Sequence, residues 1–473
     1  MGSGLFQRSS PVIGTRCIHL DLKGMPPTGE RLVGLPEIFA ELRINALLVE
    51  WEDTYPFATY PELRCETAYD EGTVRAFLGN AEKYGIEVIP LVQCLGHLEN
   101  SLLKERFRHL RELPDSPGEL CPLKKGAREL VVAMVDDVLS THRGHIRRFH
   151  LGGDEPWTMG SCPECKAFVE KNGKAALYRD YVMPLVEHLN ARGVRPLLWD
   201  DEMRGWPDAD LKTLSAKADL VVWWYSDKLE GKAFGHEIRF PDLVAHYRQV
   251  GISWWAGSAF KISGEGDLPP VEKRAINTLL WQREAATQQA EGVIATGWSR
   301  GSVSCTQVVS LETSWDSIAL AAAIMWDREM PAEPVAAARA HIGAGRLAGM
   351  IGDGFARCYA ASQALRDWKK AMDTHPGWQR MENACAISFE PERANPFTDR
   401  RFYGIDKFRD EILTGVEKGR AFIGAHRGLI PDFWLRRYVA ARLFHNINRY
   451  NLVVGSVYPD LHIPGNVFAE FRT

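Results

Sequence analysis

Eight short apolar runs, separated by stretches of helical periodicity, constrain this chain more than any other feature. They are "RCIHLDL" (16–22), "INALLVEW" (44–51), "IEVIPLVQ" (86–93), "IRRFHLGG" (146–153), "VRPLLWDD" (194–201), "ADLVVWWY" (218–225), "GISWWAGS" (251–258) and "EGVIATGW" (291–298). Several are continuous rather than alternating, as parallel strands buried on both faces require. Amphipathic helices are expected between them, including 70–84, 126–142, 175–192 and 271–290. This repeat predicts an α/β fold, a (β/α)8 TIM barrel over 16–330, with 314–327 as its eighth helix. An open doubly wound sheet is the other parallel architecture, but no Gly-rich phosphate loop follows the first run. Residues 1–15 are then an N-terminal extension. From 331 to 473 the strand pattern gives way to Ala/Arg/Leu-rich helical stretches, a C-terminal helical region.

The net charge of -4 offers no basic surface, so neither nucleic acid nor an anionic membrane is expected as a partner. No uncharged apolar run reaches the roughly 18 residues of a membrane span. The first residues, "MGSGLFQRSSPVIGTR", lack the apolar core of a signal peptide. Nine scattered Cys suit free thiols in a reducing compartment better than a disulfide framework. A cytoplasmic location is expected on these grounds, and composition leaves a homodimer open.

In a barrel of this kind the chemistry sits at the C-terminal ends of the strands. Those ends carry Asp21 and Lys23; Glu50, Glu52 and Asp53; Gln93 and His97; Asp154 and Glu155; Trp199 with Asp200, Asp201 and Glu202; Trp223, Trp224 and Tyr225; Trp254 and Trp255; and Trp298 and Arg300. The mixture of carboxylates and tryptophans fits a sugar site, where aromatic faces stack on the pyranose and carboxylates hold its hydroxyls. A single Trp is more often core than ligand, but recurrence at five strand ends is hard to ascribe to packing. The sharpest stretch is "RRFHLGGDEPW" (147–157), with two adjacent carboxylates where a buried strand ends. At a solvated loop tip such a pair is innocuous; in a pocket it takes on divided roles.

"HLGGDEPW" resembles the His-x-Gly-Gly-Asp-Glu motif of family 20 glycoside hydrolases, the β-N-acetylhexosaminidases. "HLDLKGMPP", "LLVEWEDTYPF", "VIPLVQCLGHLE", "PLLWDDEMR", "WWAGSAFKISG" and "TGWSRG" are similar to the hexosaminidase D branch, in the same order. The resemblance implies exo-hydrolysis of terminal β-linked GalNAc or GlcNAc, with GalNAc favoured, by a retaining mechanism through an oxazolinium formed by the substrate's own acetamide. Asp154 would orient and stabilise the acetamide, and Glu155 would be the general acid and then base. His97 would support the acid, and Asp53 would bind a hydroxyl or the catalytic pair. Trp199, Trp224 and Trp298 would wall the acetamido pocket, with Tyr225 donating to its oxygen. Gln93 and Trp255 complete the substrate-binding set. Many members carry an Arg on the first strand that grips the 3- and 4-hydroxyls; here Asp21 and Lys23 stand in its place. The implied partner is a small glycoside or the terminal sugar of a glycoconjugate. No cofactor and no metal are expected.

Other readings follow different residues. A glycan-binding barrel without turnover would keep the aromatics but has no use for the Asp-Glu pair. A chitinase-type barrel would show Asp-x-x-Asp-x-Asp-x-Glu, which this chain lacks. "CPEC" (162–165) offers two thiols, and a structural zinc would need two more ligands, with none at an obvious spacing. "GEGDLPP" (264–270) has no following Lys-Ser/Thr and is not a phosphate loop. The carboxylates of "WDDE" sit among tryptophans, which argues for sugar rather than a divalent cation.

Overall fold

The eight runs close into one parallel barrel. The computed structural model describes residues 5–233, 236–299, 310–327, 329–379, 381, 404–454 and 458–472. The barrel strands are β1 (Arg16–Asp21), β2 (Ala46–Glu50), β3 (Glu87–Leu91), β4 (Arg148–His150), β5 (Arg195–Trp199), β6 (Asp219–Trp223), β9 (Trp254–Lys261) and β10 (Val293–Gly297). They pair in the order β1-β10-β9-β6-β5-β4-β3-β2, and β1 meets β2 to close the ring. β7 (Glu230–Ala233) and β8 (His236–Arg239) form a separate antiparallel hairpin after β6. The helices expected between the runs occupy Glu71–Lys83, Ala127–Thr141, Lys174–Asn190 and Val271–Thr287. The expected eighth helix is Trp315–Asp327.

Alternation along the strands sorts the side chains into two cores. Inside the barrel, Cys17, Leu48, Ile89, Leu197, Val221 and Ile294 stack as one apolar plug, roofed by Trp199, Trp223 and Trp298. Their neighbours Leu198, Leu220 and Val222 point outward into the larger core beneath the helices. The interior plug forms the floor on which a pocket can rest.

β9 departs most from expectation, running three residues later than the apolar run suggests. It continues through Ala259 and Phe260 to Lys261, a buried cation donating to Ser299 Oγ at 2.9 Å. Burial pushes the Lys261 ammonium down to about 7, against the pull of Asp21. Trp254 and Trp255 therefore stand at the N-terminal end of their strand, far from the rim. Trp255 lies within the barrel plug and donates to Asp219 Oδ2 at 3.2 Å. Trp254 points outward against Trp281 and donates to Gln288 O.

The long C-terminal helices, Asp353–Asp373, Ile405–His426 and Asp432–Val454, build a core of their own around Leu365, Trp368, Ile412, Leu435 and Leu443. Met25, from the loop after β1, belongs to it. Trp434 donates to Thr67 Oγ1 in the loop after β2, and Tyr438 and Arg442 grip Asp267 after β9. The helical region thus braces three loops at the C-terminal rim of the barrel.

Candidate active site

The loop after β4 owes its shape to its glycines. Gly152 and Gly153 adopt φ of +64° and +83°, and a Cβ on either would overlap Gln93 Oε1 or the Tyr178 hydroxyl. Only glycine combines that backbone with that closeness. Gly152 N–H donates to His150 Nδ1 at 2.9 Å and Gly153 N–H to Gln93 Oε1 at 3.3 Å. The resulting kink turns both Asp154 and Glu155 into one cleft, although neighbours on an extended strand would face opposite ways. Glu155 itself holds φ +49°, unusual for a residue with a side chain. Its N–H donates to Asp201 Oδ2 at 2.9 Å, which fixes the strained residue in place.

The cleft spans about 760 Å³, part of it open to solvent. Its chemistry comes from Asp154, Glu155, His97 and Lys23, and its aromatic walls from Trp199, Trp223, Tyr225 and Trp298. His97 Nε2 lies 3.5 Å from Asp154 Oδ2 and 3.4 Å from Glu155 Oε2, so one imidazole touches both carboxylates. Burial alone disfavours its cation, but the charge of Asp154 and contact with Glu155 outweigh that and hold His97 well above its ordinary value. Asp154 Oδ1 and Trp199 Nε1 are buried and have no hydrogen-bond partner among the described residues. Buried polar atoms in a cleft wall are normally satisfied, so these two are open to a substrate. Tyr225 accepts from Trp298 Nε1 at 3.1 Å, and burial raises its phenol above the ordinary range, keeping it a donor.

Behind this wall stands an ionic layer. Lys23 Nζ lies 2.7 Å from Glu50 Oε2 and 3.1 Å from Asp21 Oδ1, and 5.0 Å from the centre of the Trp298 ring. Burial opposes its charge, yet Asp21 and Glu50 together hold Lys23 above its ordinary value. Asp21 Oδ2 also accepts from Ser299 N–H at 2.7 Å. Asp21 therefore anchors Lys23 rather than facing the cleft.

The expected site residues thus separate into groups. Asp154, Glu155, His97, Lys23, Trp199, Tyr225 and Trp298 converge on the cleft. Gln93 and Asp21 sit behind it as supports. Asp53 is buried in the short turn Glu52–Thr54 and is not among the residues lining the cleft. Trp224, expected in the wall, instead stacks on Phe240 at 5.2 Å and packs under Gly231. Trp223 takes the wall position, because β6 pairs it with Gly257 of β9, whose missing side chain leaves room for it. Trp255 lies lower in the barrel, level with Val221. Arg300 lies outside the described residues.

Three contributions were not legible in advance. Asp201 accepts both Glu155 N–H and Trp223 Nε1–H, joining the loop to the aromatic wall. Burial and the nearby Asp154 charge push its carboxyl up to about 8. Ile262, Ser263 and Gly264 line the cleft from the end of β9, hidden by the misjudged strand. Finally, Gly96 packs against the loop so closely that a Cβ would overlap the backbone oxygen of Asp154. Gly96→Ala is expected to lower kcat by about 10²-fold, since displacement of a catalytic group by about 1 Å costs that much. Steady-state kinetics of the purified variant check this, and unchanged kcat would mean that the loop tolerates the shift.

A parallel barrel with an adjacent Asp-Glu pair in an aromatic cleft at its C-terminal rim is the architecture of a glycoside hydrolase. Residues 52–247 match glycosyl hydrolase family 20, catalytic domain. Hexosaminidase D of Bos taurus is 36% identical over 300 residues, covering 60% of this chain and 84% of the relative. Hexosaminidase D of Homo sapiens is 35% identical over 300 residues, and the match covers 60% of each protein. In fold, the chitobiase of Flavobacterium johnsoniae superposes with a TM-score of 0.56 at 14% identity, covering 98% of this chain and 78% of that one. The chain belongs to glycosyl hydrolase family 20, and it is a glycoside hydrolase of the hexosaminidase type.

Proposed function

We propose that this enzyme removes terminal, non-reducing β-linked N-acetylhexosamine, and that the substrate's own acetamide is the nucleophile. The observation that carries the reading is the imidazole of His97 shared by Asp154 and Glu155. Retaining glycosidases with a protein nucleophile place two carboxyl groups on opposite faces of the anomeric carbon, about 5 Å apart. Here the two cleft carboxylates are chain neighbours joined to one side chain, and the described lining offers no other carboxylate to face them. A reaction through the acetamide needs no such group.

In this mechanism the acetamide oxygen attacks the anomeric carbon and the acetamide N–H points at Asp154 Oδ1, the buried oxygen without a partner among the described residues. The carboxylate stabilises the positive charge that grows on the oxazolinium. Glu155 gives its proton to the departing oxygen, then takes one from the water that opens the ring. Trp199, Trp223 and Trp298 surround the acetyl group, and the Tyr225 hydroxyl donates to its oxygen. Lys23 lines the cleft with its ammonium held by Asp21 and Glu50. Likeness to hexosaminidase D favours GalNAc over GlcNAc. A side-by-side assay of aryl β-GalNAc and β-GlcNAc glycosides tests this, with faster turnover of GalNAc expected and the reverse order contradicting it. Sugar binding without turnover of either would instead favour the glycan-binding reading.

The pair's charge also sets a pH dependence of stability. Because His97 is raised in the folded state, its contribution is fully present below its unfolded value and is lost as pH rises through the folded one. The stability difference between wild type and His97→Gln should be widest near about pH 6, below the unfolded value, and narrow as the pH rises well above it, read by denaturant unfolding at each pH. A gap that widens with pH would contradict this assignment of charge.

A further inference from the structure

The Cys-x-x-Cys stretch does not stand alone in space. Cys162 and Cys165 open the helix Pro163–Asn172, and Cys121 approaches them from the segment before the helix Ala127–Thr141. Cys121 Sγ lies 3.7 Å from Cys162 Sγ and 3.5 Å from Cys165 Sγ. Glu112 completes the group, and one ligand atom from each of the four lies within 4.8 Å of the others. All four residues are buried.

We propose that Glu112, Cys121, Cys162 and Cys165 bind one structural zinc ion. Geometry is the first reason. With Zn–S bonds of about 2.3 Å, sulfurs on a tetrahedron stand about 3.8 Å apart, close to the spacings found here. A disulfide needs sulfurs about 2.05 Å apart, and three thiols leave one over whichever pair forms. The donor set is the second reason. Thiolates select zinc or a soft copper or iron centre, and a carboxylate as fourth ligand suits zinc among these.

The state of Glu112 is the third reason. Its Oε1 accepts the N–H groups of Gly160, Ser161 and Cys162 at 3.0, 2.8 and 2.9 Å. Its Oε2 is buried beside the Cys121 and Cys165 thiols with no N–H or O–H donor among the described residues. A carboxylate held so firmly by one oxygen presents the other as a prepared ligand. Cys165 N–H donates to Cys162 Sγ at 3.4 Å, an orientation that supports a thiolate at the metal. On binding, each thiol releases its proton to solvent and the four ligands close the coordination sphere, leaving no position for substrate.

The site would clip two loops together beside the catalytic pair. Glu112 lies in the turn whose ends pair through Arg111 and Leu120, and Glu119 of that turn binds Thr158 through both its N–H and its hydroxyl. Thr158 and Cys162 belong to the segment that follows Glu155. The metal is thus a positioning element for the catalytic loop, with no part in bond cleavage.

The test is zinc content of the full chain, purified without chelator from zinc-supplemented medium and dialysed before elemental mass spectrometry. We expect about one zinc per chain, with the three thiols protected from alkylation until the metal is stripped. The Cys162→Ser/Cys165→Ser variant should hold less than about a tenth of that. Should it not fold, Glu112→Gln keeps the acceptor for the three N–H groups and should yield zinc to a competing chromophoric chelator at least about tenfold more readily. Wild-type protein with less than about a tenth of an equivalent of zinc, and with all three thiols open to alkylation, overturns the proposal. So does a Cys121–Cys162 or Cys121–Cys165 disulfide found by peptide mapping of the freshly purified chain.

Discussion

Replacing Glu155 by Gln is expected to lower kcat on a sugar or alkyl leaving group by about 10²–10⁴-fold, the usual contribution of general acid catalysis. The loss should shrink on a nitrophenyl glycoside, whose leaving oxygen departs with little protonation. Structure supports separating this effect from misfolding. The Glu155 side chain is 31% exposed and touches His97, while its backbone N–H, which holds the loop, is untouched by the substitution. Thermal unfolding of the variant should therefore stay close to wild type. Equal losses on good and poor leaving groups would remove Glu155 from the role of acid.

Asp154→Asn should behave differently. The substitution keeps size and shape but removes the charge that would face a developing oxazolinium, and it sets a neutral amide against the acetamide N–H. Loss of one such electrostatic partner costs about 10²–10³-fold in kcat. Because the acetamide attacks whatever the leaving group, the loss should be similar for nitrophenyl and alkyl glycosides. It should also lower the pKa of His97, since Asp154 is the main charge holding that imidazole protonated. A histidine ring titration followed by NMR in wild type and variant reads this independently of turnover. An Asp154→Asn enzyme with wild-type kcat would end the substrate-assisted reading.

The barrel was legible because buried parallel strands leave continuous apolar runs that survive without structural information. The one misplaced strand shows the limit of that signal. The apolar run stops at Ser258 in the sequence, yet within the barrel the strand continues through Ala259 and Phe260 to Lys261, which lies beside Asp21 and Ser299. Everything attached to that end, from Trp255 to the Ile262–Gly264 wall, moved with the error. For another reason, Trp223 stands in the wall where Trp224 was expected. Two adjacent aromatics on a strand face opposite ways, and only pairing with Gly257 decides which faces in.

Contacts between distant segments were the least visible. Asp201 stood in a stretch already marked by its carboxylates, but its bond to Glu155 N–H spans 46 residues. Glu112 and Cys121 join Cys162 across some 50 and 41 residues, and no spacing rule links them. By contrast, "HLGGDEPW" carried its meaning locally. Its glycines, carboxylates and strand end are all within one turn, and the kink at Gly152 and Gly153 puts both carboxylates in the cleft.

In the proposed mechanism the acetamide of the substrate, and no carboxylate of the enzyme, attacks the anomeric carbon. Successive fluorination of the N-acetyl group of an aryl β-N-acetylhexosaminide tests it most directly. Each fluorine withdraws electron density from the acyl oxygen while leaving the leaving group and the ring unchanged. kcat/KM is expected to fall steeply and monotonically from acetyl to trifluoroacetyl. A kcat/KM indifferent to fluorination, with a glycosyl ester trapped on Asp154 or Glu155, would contradict it.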